Sequence, residues 1–122
     1  MNSQLLYSLV SCETDVDGAL RRFCGDEALY ISCLGAFLED RTLYALDDAI
    51  ELHAWDDAFT AAHALKGLAG NMGFIPLFHS VGELVVLIRS GRISELAESY
   101  RQVRRCYDEI VAAIRIGNGA AV

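Results

Sequence analysis

The sequence predicts an all-α protein, an antiparallel four-helix bundle (up-down-up-down) preceded by short helical segments. Three observations carry this. Apolar residues recur at helical spacing through four long segments. Glycine, with a single proline, punctuates the boundaries between them. No stretch competes with the apolar–polar alternation of a strand. Four helices joined by short turns bury their stripes most simply as antiparallel neighbours.

The elements follow in order. A short segment runs from about Ser3 to Val10. A second begins near Asp15, where acidic residues suit the positive end of a helix, and stops before Gly25. Asp26 is the expected N-cap of the first long helix, which runs to about Leu52. Its stripe is Leu29, Cys33, Phe37, Tyr44, Leu46 and Ile50, with Thr42 a weak point. The next helix starts near Trp55 with Asp56 and Asp57 in its first turn, although Ala54 is no capping residue. Gly73 ends it, and Pro76 suits the first turn of a helix that runs to about Ser90, where Gly91 breaks it. The last helix spans about Ile93 to Ile116 and closes at Gly117-Asn118-Gly119, leaving Ala120 to Val122 frayed.

Composition narrows the function classes. At 122 residues and 53% apolar, the chain reads as one domain, 1–122, with its own core. No apolar run approaches the ~18 residues of a membrane span, and Leu84 to Ile88 is far too short. Met1 to Val10 lacks the basic start and cleavage site of a signal peptide, so a cytoplasmic location is expected. A start at Met1 with a short lead-in favours a free-standing protein. The four cysteines show no C-x-x-C spacing, and His53, His63 and His79 do not supply a ligand set, so no metal and no cofactor is expected. Cys33 and Cys106 read as small apolar residues, reduced in the cytosol. A net charge of −7 argues against nucleic acid. Arg101, Arg104 and Arg105 cluster, but Glu98, Asp108 and Glu109 flank them, as on a solvated helix face. A monomer is expected.

One histidine stands out. On a helical wheel at ~100° per residue, Asp56, Phe59, Lys66, Gly67, Gly70 and Phe74 fall within about 60° of His63. The opposite arc holds Ala58, Ala61, Leu65, Leu68, Ala69 and Met72, and the small residues Ala58, Ala61, Ala62 and Ala69 let a neighbouring helix approach closely. His63 therefore faces outward. Glycine inside a helix costs up to ~1 kcal/mol relative to alanine, so two glycines on that face imply that something large must come close. Lys66, three residues on, is placed to meet a negative group on the imidazole. Phe59 and Phe74 either turn inward at the core edge or form an apolar docking surface, with Asp56, Thr60 and Asn71 at its polar rim. An unprotonated imidazole nitrogen can attack phosphorus in line, a reaction that needs positioning and charge neutralisation more than acid–base help. The chain has no P-loop and no magnesium carboxylate cluster to power that step, so it is not expected to be an enzyme on its own.

The run His63-Ala64-Leu65-Lys66-Gly67, with a small-residue stretch and Gly73 ten positions after the histidine, resembles the histidine phosphotransfer (HPt) domains of bacterial two-component phosphorelays. Gly67 to Phe74 is also similar to the phosphorylated domain of chemotaxis kinases. Phe23 to Phe37 is similar to the family's segment before its first long helix, and Leu77 to Gly91 to its third helix and following turn. The resemblance covers about residues 14–115. It implies a phosphocarrier in which His63 accepts phosphate, Lys66 neutralises it and Gly67 gives clearance, with Phe59, Thr60, Gly70, Asn71 and Phe74 around the docking site. The implied partners are a response-regulator receiver domain, a sensor histidine kinase, or both; the receiver would supply the acidic pocket and metal. His53 and His79 are expected to be silent. One departure is clear. Many HPt domains carry Glu or Gln 22 residues past the histidine, hydrogen-bonded to the imidazole, where this chain has Val85; Glu83 would project about 160° away. That tilts the expectation toward exchange with receivers. The alternative is an HPt-like interaction module that binds a kinase or receiver without carrying phosphate.

Overall fold

The structure, a computed structural model, describes residues 1–118; the expected fraying of residues 120–122 lies outside the described residues. Seven α-helices follow one another: α1 (Ser3–Ser11), α2 (Val16–Arg22), α3 (Glu27–Glu39), α4 (Thr42–Glu51), α5 (Trp55–Met72), α6 (Ile75–Arg89) and α7 (Leu96–Gly117). A single 3-10 turn at Ile93–Glu95 precedes α7, and the described residues contain no strand. No described helix is long and apolar enough to cross a membrane. Helix α5 packs against both α4 and α6, α6 packs against α7, and α1 closes over α7.

Most boundaries fall where local chemistry puts them. Asn2, Asp15 and Asp26 each accept a backbone N–H of the first turn with their side-chain oxygens, capping α1, α2 and α3. Gly73 ends α5 in the left-handed region, at φ 79°, and Pro76 sits in the first turn of α6.

The first long helix is the main correction. In place of one helix from Asp26 to Leu52, the chain breaks at Asp40-Arg41, where Asp40 is extended with ψ 138°. The Asp40 carboxylate accepts the Thr42 N–H at 2.9 Å, which holds the turn just ahead of α4. Its stripe changes with it. Leu29 and Tyr44 are exposed, and the buried residues are Tyr30, Leu34 and Phe37 on α3 with Leu43, Leu46 and Ala49 on α4. A wheel drawn through a break averages two separate faces, so the expected stripe caught Phe37 and Leu46 but put Leu29 and Tyr44 inward in error. Helix α7 also starts later than expected, at Leu96, because the 3-10 turn takes up Ile93–Glu95.

The C-terminal end of α5 is tied to α3 and to the segment before α2. The Tyr30 hydroxyl donates to the Met72 carbonyl at 2.9 Å, deep in the core. The Asp15 N–H donates to the Gly73 carbonyl at 2.8 Å, and Thr14 pairs with Phe74 in an isolated antiparallel bridge. A Cβ on Gly73 would lie 2.5 Å from the Asp15 carbonyl oxygen. Glycine is needed there twice, for its backbone angle and for the strand-like segment crossing it. These ties hold the histidine helix at one end and leave its middle on the surface.

Candidate functional site

Helix α5 turns Ala58, Ala62, Leu65, Ala69 and Met72 into the core. Helical geometry then sends His63 the other way, and its side chain is exposed. Among the described residues no side chain hydrogen-bonds the imidazole. Its contact is with an aromatic face: the Phe59 ring lies one turn earlier, centroid 6.0 Å away and only 12° from parallel. That is an offset stack, within the range aromatic pairs favour.

Two cations flank this centre, each seated on an aromatic ring of the α5–α6 seam. Lys66 Nζ lies 5.4 Å from the Phe78 centroid, and the Arg89 guanidinium lies 5.1 Å from that of Phe59. A Cβ on Gly82 would touch Lys66 Cε at 3.6 Å, so the lysine stem runs across the side-chain-free surface of α6. Lys66 is thereby half-buried along its stem with its charge at the surface. A shallow groove beside it is lined by Phe78, His79, Gly82, Glu83 and Val86. A second groove, lined by Trp55, Asp56, Phe59, Ile88 and Arg89, lies at the other end of the seam.

The two glycines on this face differ. A Cβ on Gly67 would meet nothing within 4 Å, so the helix surface is open one turn past His63. At Gly70 the same atom would sit 3.2 Å from the Phe78 ring, so this glycine admits α6 and not a partner.

The remaining expected docking residues separate. Thr60 is exposed, its hydroxyl turned back to donate to the Asp56 carbonyl at 3.1 Å. Asn71 is exposed three turns further on, and its carbonyl accepts from Arg22 Nε at 3.2 Å. Phe74 is the clear correction. It is fully buried, packed edge-on against Phe37 with centroids 5.0 Å apart, and forms no part of the histidine's surface. The wheel placed it outward because it extended α5 past Gly73, where the chain in fact turns to start α6.

Val85 is buried with its side chain in the core, and it has no atom that could bond the imidazole. Glu83 is exposed and lines the Lys66 groove. The other two histidines have different settings. His53 occupies a left-handed turn at φ 55° and stacks on Trp55, and His79 is exposed beside Phe78 with Gly82 three residues later. Arg89 is the residue that sequence reasoning missed. Its only signal was its place in the Arg89-Ser90-Gly91 helix end, and nothing in that run connects it with Phe59, 30 residues away.

Comparison with curated proteins and with solved structures finds no match for the chain. Residues 36–113, more than half of the chain and all of α4, α5 and α6, match the Hpt domain family. The match begins later than the resemblance expected from residue 14, so α1, α2 and most of α3 lie outside it. A match of that extent, taking in the whole histidine helix, makes this chain a member of the Hpt domain family, whose domains engage receivers and kinases in phosphotransfer.

Proposed function

We propose that this chain is a histidine phosphocarrier that takes a phosphoryl group on His63 from the aspartyl phosphate of a receiver domain, or from a sensor histidine kinase, and passes it to another receiver. The observation that carries the reading is the open helix surface at Gly67, one turn from an exposed His63. A partner's active-site loops need that clearance to bring phosphorus in line with a ring nitrogen. In the transfer, the lone pair of the unprotonated ring nitrogen forms the P–N bond while the acyl P–O bond breaks. The donor carboxylate leaves with the electron pair, and the proton on the other ring nitrogen stays. Charge builds on the equatorial phosphoryl oxygens, and Lys66 is the cation placed to offset it.

In this reading the whole chain is one domain acting as a monomer in the cytoplasm. Helices α3 with α4, α5, α6 and α7 form the antiparallel up-down-up-down bundle, with α1 and α2 as the short leading segments. The chain supplies the acceptor and part of the electrostatics, and the receiver supplies the catalytic pocket. Thr60 and Gly67 border the docking surface, with Asn71 at its edge. His53 and His79 carry no phosphate.

The test is incubation with a receiver domain loaded by acetyl phosphate. Wild-type protein is expected to gain acid-labile, base-stable phosphate, and His63→Gln none while melting as wild type does. Phosphate retained by His63→Gln would refute the assignment.

A further inference from the structure

The imidazole of His63 has no hydrogen-bonding partner among the described residues, yet it is not adrift. One ring face is stacked on Phe59, 12° from parallel, and the Arg89 guanidinium lies over that same phenyl ring at 5.1 Å. Phe59 is itself half-buried and packed against the core, so its ring has a fixed seat between α5 and α6. Arg89 arrives from the far helix, so the contact spans the α5–α6 seam. We infer that Phe59, secured by Arg89, is the positioning residue of the phosphoacceptor: the stack sets the plane of the His63 ring in place of a hydrogen bond. This rests on the phosphocarrier reading of His63.

The two ways of holding an imidazole differ in physical consequence. A hydrogen bond acts in the ring plane, occupies one nitrogen and selects a tautomer. A stack acts on the ring face. It leaves both nitrogens at the free edge and selects no tautomer, while restricting rotation about the Cβ–ring bond. What it supplies is alignment, and an in-line phosphoryl transfer from a bulky partner is sensitive to alignment. A small donor can approach the exposed edge from many directions and depends on it far less. The Arg89 cation favours the π face of Phe59 and limits that ring's own rotation.

The variants are Phe59→Leu, which keeps bulk but removes the π face, and Phe59→Tyr, which keeps the face. Transfer from a receiver loaded by acetyl phosphate is compared with direct loading by phosphoramidate, and His63 ring protons are followed by NMR. In wild type the His63 ring protons should show an upfield ring-current shift that Phe59→Leu abolishes and Phe59→Tyr keeps. Receiver transfer should fall roughly tenfold in Phe59→Leu, phosphoramidate loading less than about twofold, and Phe59→Tyr should recover the rate. Arg89→Gln should reduce the ring-current shift of the His63 protons and slow receiver transfer by a smaller factor.

Unshifted His63 resonances in wild type, or equal receiver transfer by Phe59→Leu, would overturn the inference and leave the carrier function standing. An equal fall with both donors would also overturn it, because the acceptor and not its alignment would then have changed. Absence of phosphate on wild-type His63 from either donor would remove the carrier function and the inference together.

Discussion

The histidine helix has two halves that share one glycine-rich run and do opposite things. Around His63 the surface is open: Gly67 faces empty space, and Lys66 and Arg89 rest on rings at the seam. From Gly70 onward the same face meets the protein itself. Gly70 admits Phe78, Gly73 admits the backbone of Asp15, and Phe74 is wholly buried. The difference shows that glycines in one motif need not share a purpose. Those at 70 and 73 make room for this protein's own atoms, whereas the one at 67 faces open space.

Gly73→Ala attacks the closed half and should have the largest effect. The added methyl must adopt φ 79° and overlaps the Asp15 carbonyl, so backbone has to move. We expect a loss of about 2–4 kcal/mol in urea unfolding. A loss below ~1 kcal/mol would show that the linker before α2 is not held against α5.

Gly67→Gln attacks the open half, where stability and function should separate. Its side chain projects into solvent, and replacing an exposed helical glycine stabilises by up to ~1 kcal/mol. Phosphotransfer from a receiver should nonetheless fall by roughly 100-fold, the scale expected when reacting atoms are held out of line. Lower melting with normal transfer would place Gly67 against a neighbouring helix.

Tyr30→Phe sharpens the account of the closed end. Removing the hydroxyl leaves the buried Met72 carbonyl without its donor, at an expected cost of about 1–2 kcal/mol by chemical denaturation. The same hydroxyl predicts a pH dependence. Burial, the largest cause, pushes its pKa up to about 12, above the usual ~10 of tyrosine. The folded state therefore keeps the proton to higher pH than the unfolded chain does. The contribution is complete below pH ~10 and is lost as pH rises through about 12, so wild type and Tyr30→Phe should converge in stability over that window.

The smallest effect compares two alanines directly. Gly67→Ala should stabilise by up to ~1 kcal/mol, whereas Gly70→Ala should gain less or nothing because its methyl presses the Phe78 ring. Equal melting temperatures for the two variants would mean that Phe78 yields freely.

The sequence alone was enough for whatever depends on neighbours within one helical turn or two. Three capping oxygens and the Gly73 stop set helix ends, because each acts on backbone a few residues away. The shared face of His63, Lys66 and Gly67 follows from helical pitch, and the apolar stripe opposite it says which side is out. The break before α4 left only a hint, Thr42 as a weak point, because apolar residues recur at helical spacing across it.

Tertiary structure alone decided which features met across the seam. Phe74 went inward because the chain turned at Gly73 and delivered it to Phe37, a residue on α3. Lys66 found Gly82 and Phe78, and Arg89 found Phe59, only because α6 folds back along α5. Periodicity places a residue on a face of its own helix, whereas the partner on that face depends on how two helices are set together, which no single helical wheel contains.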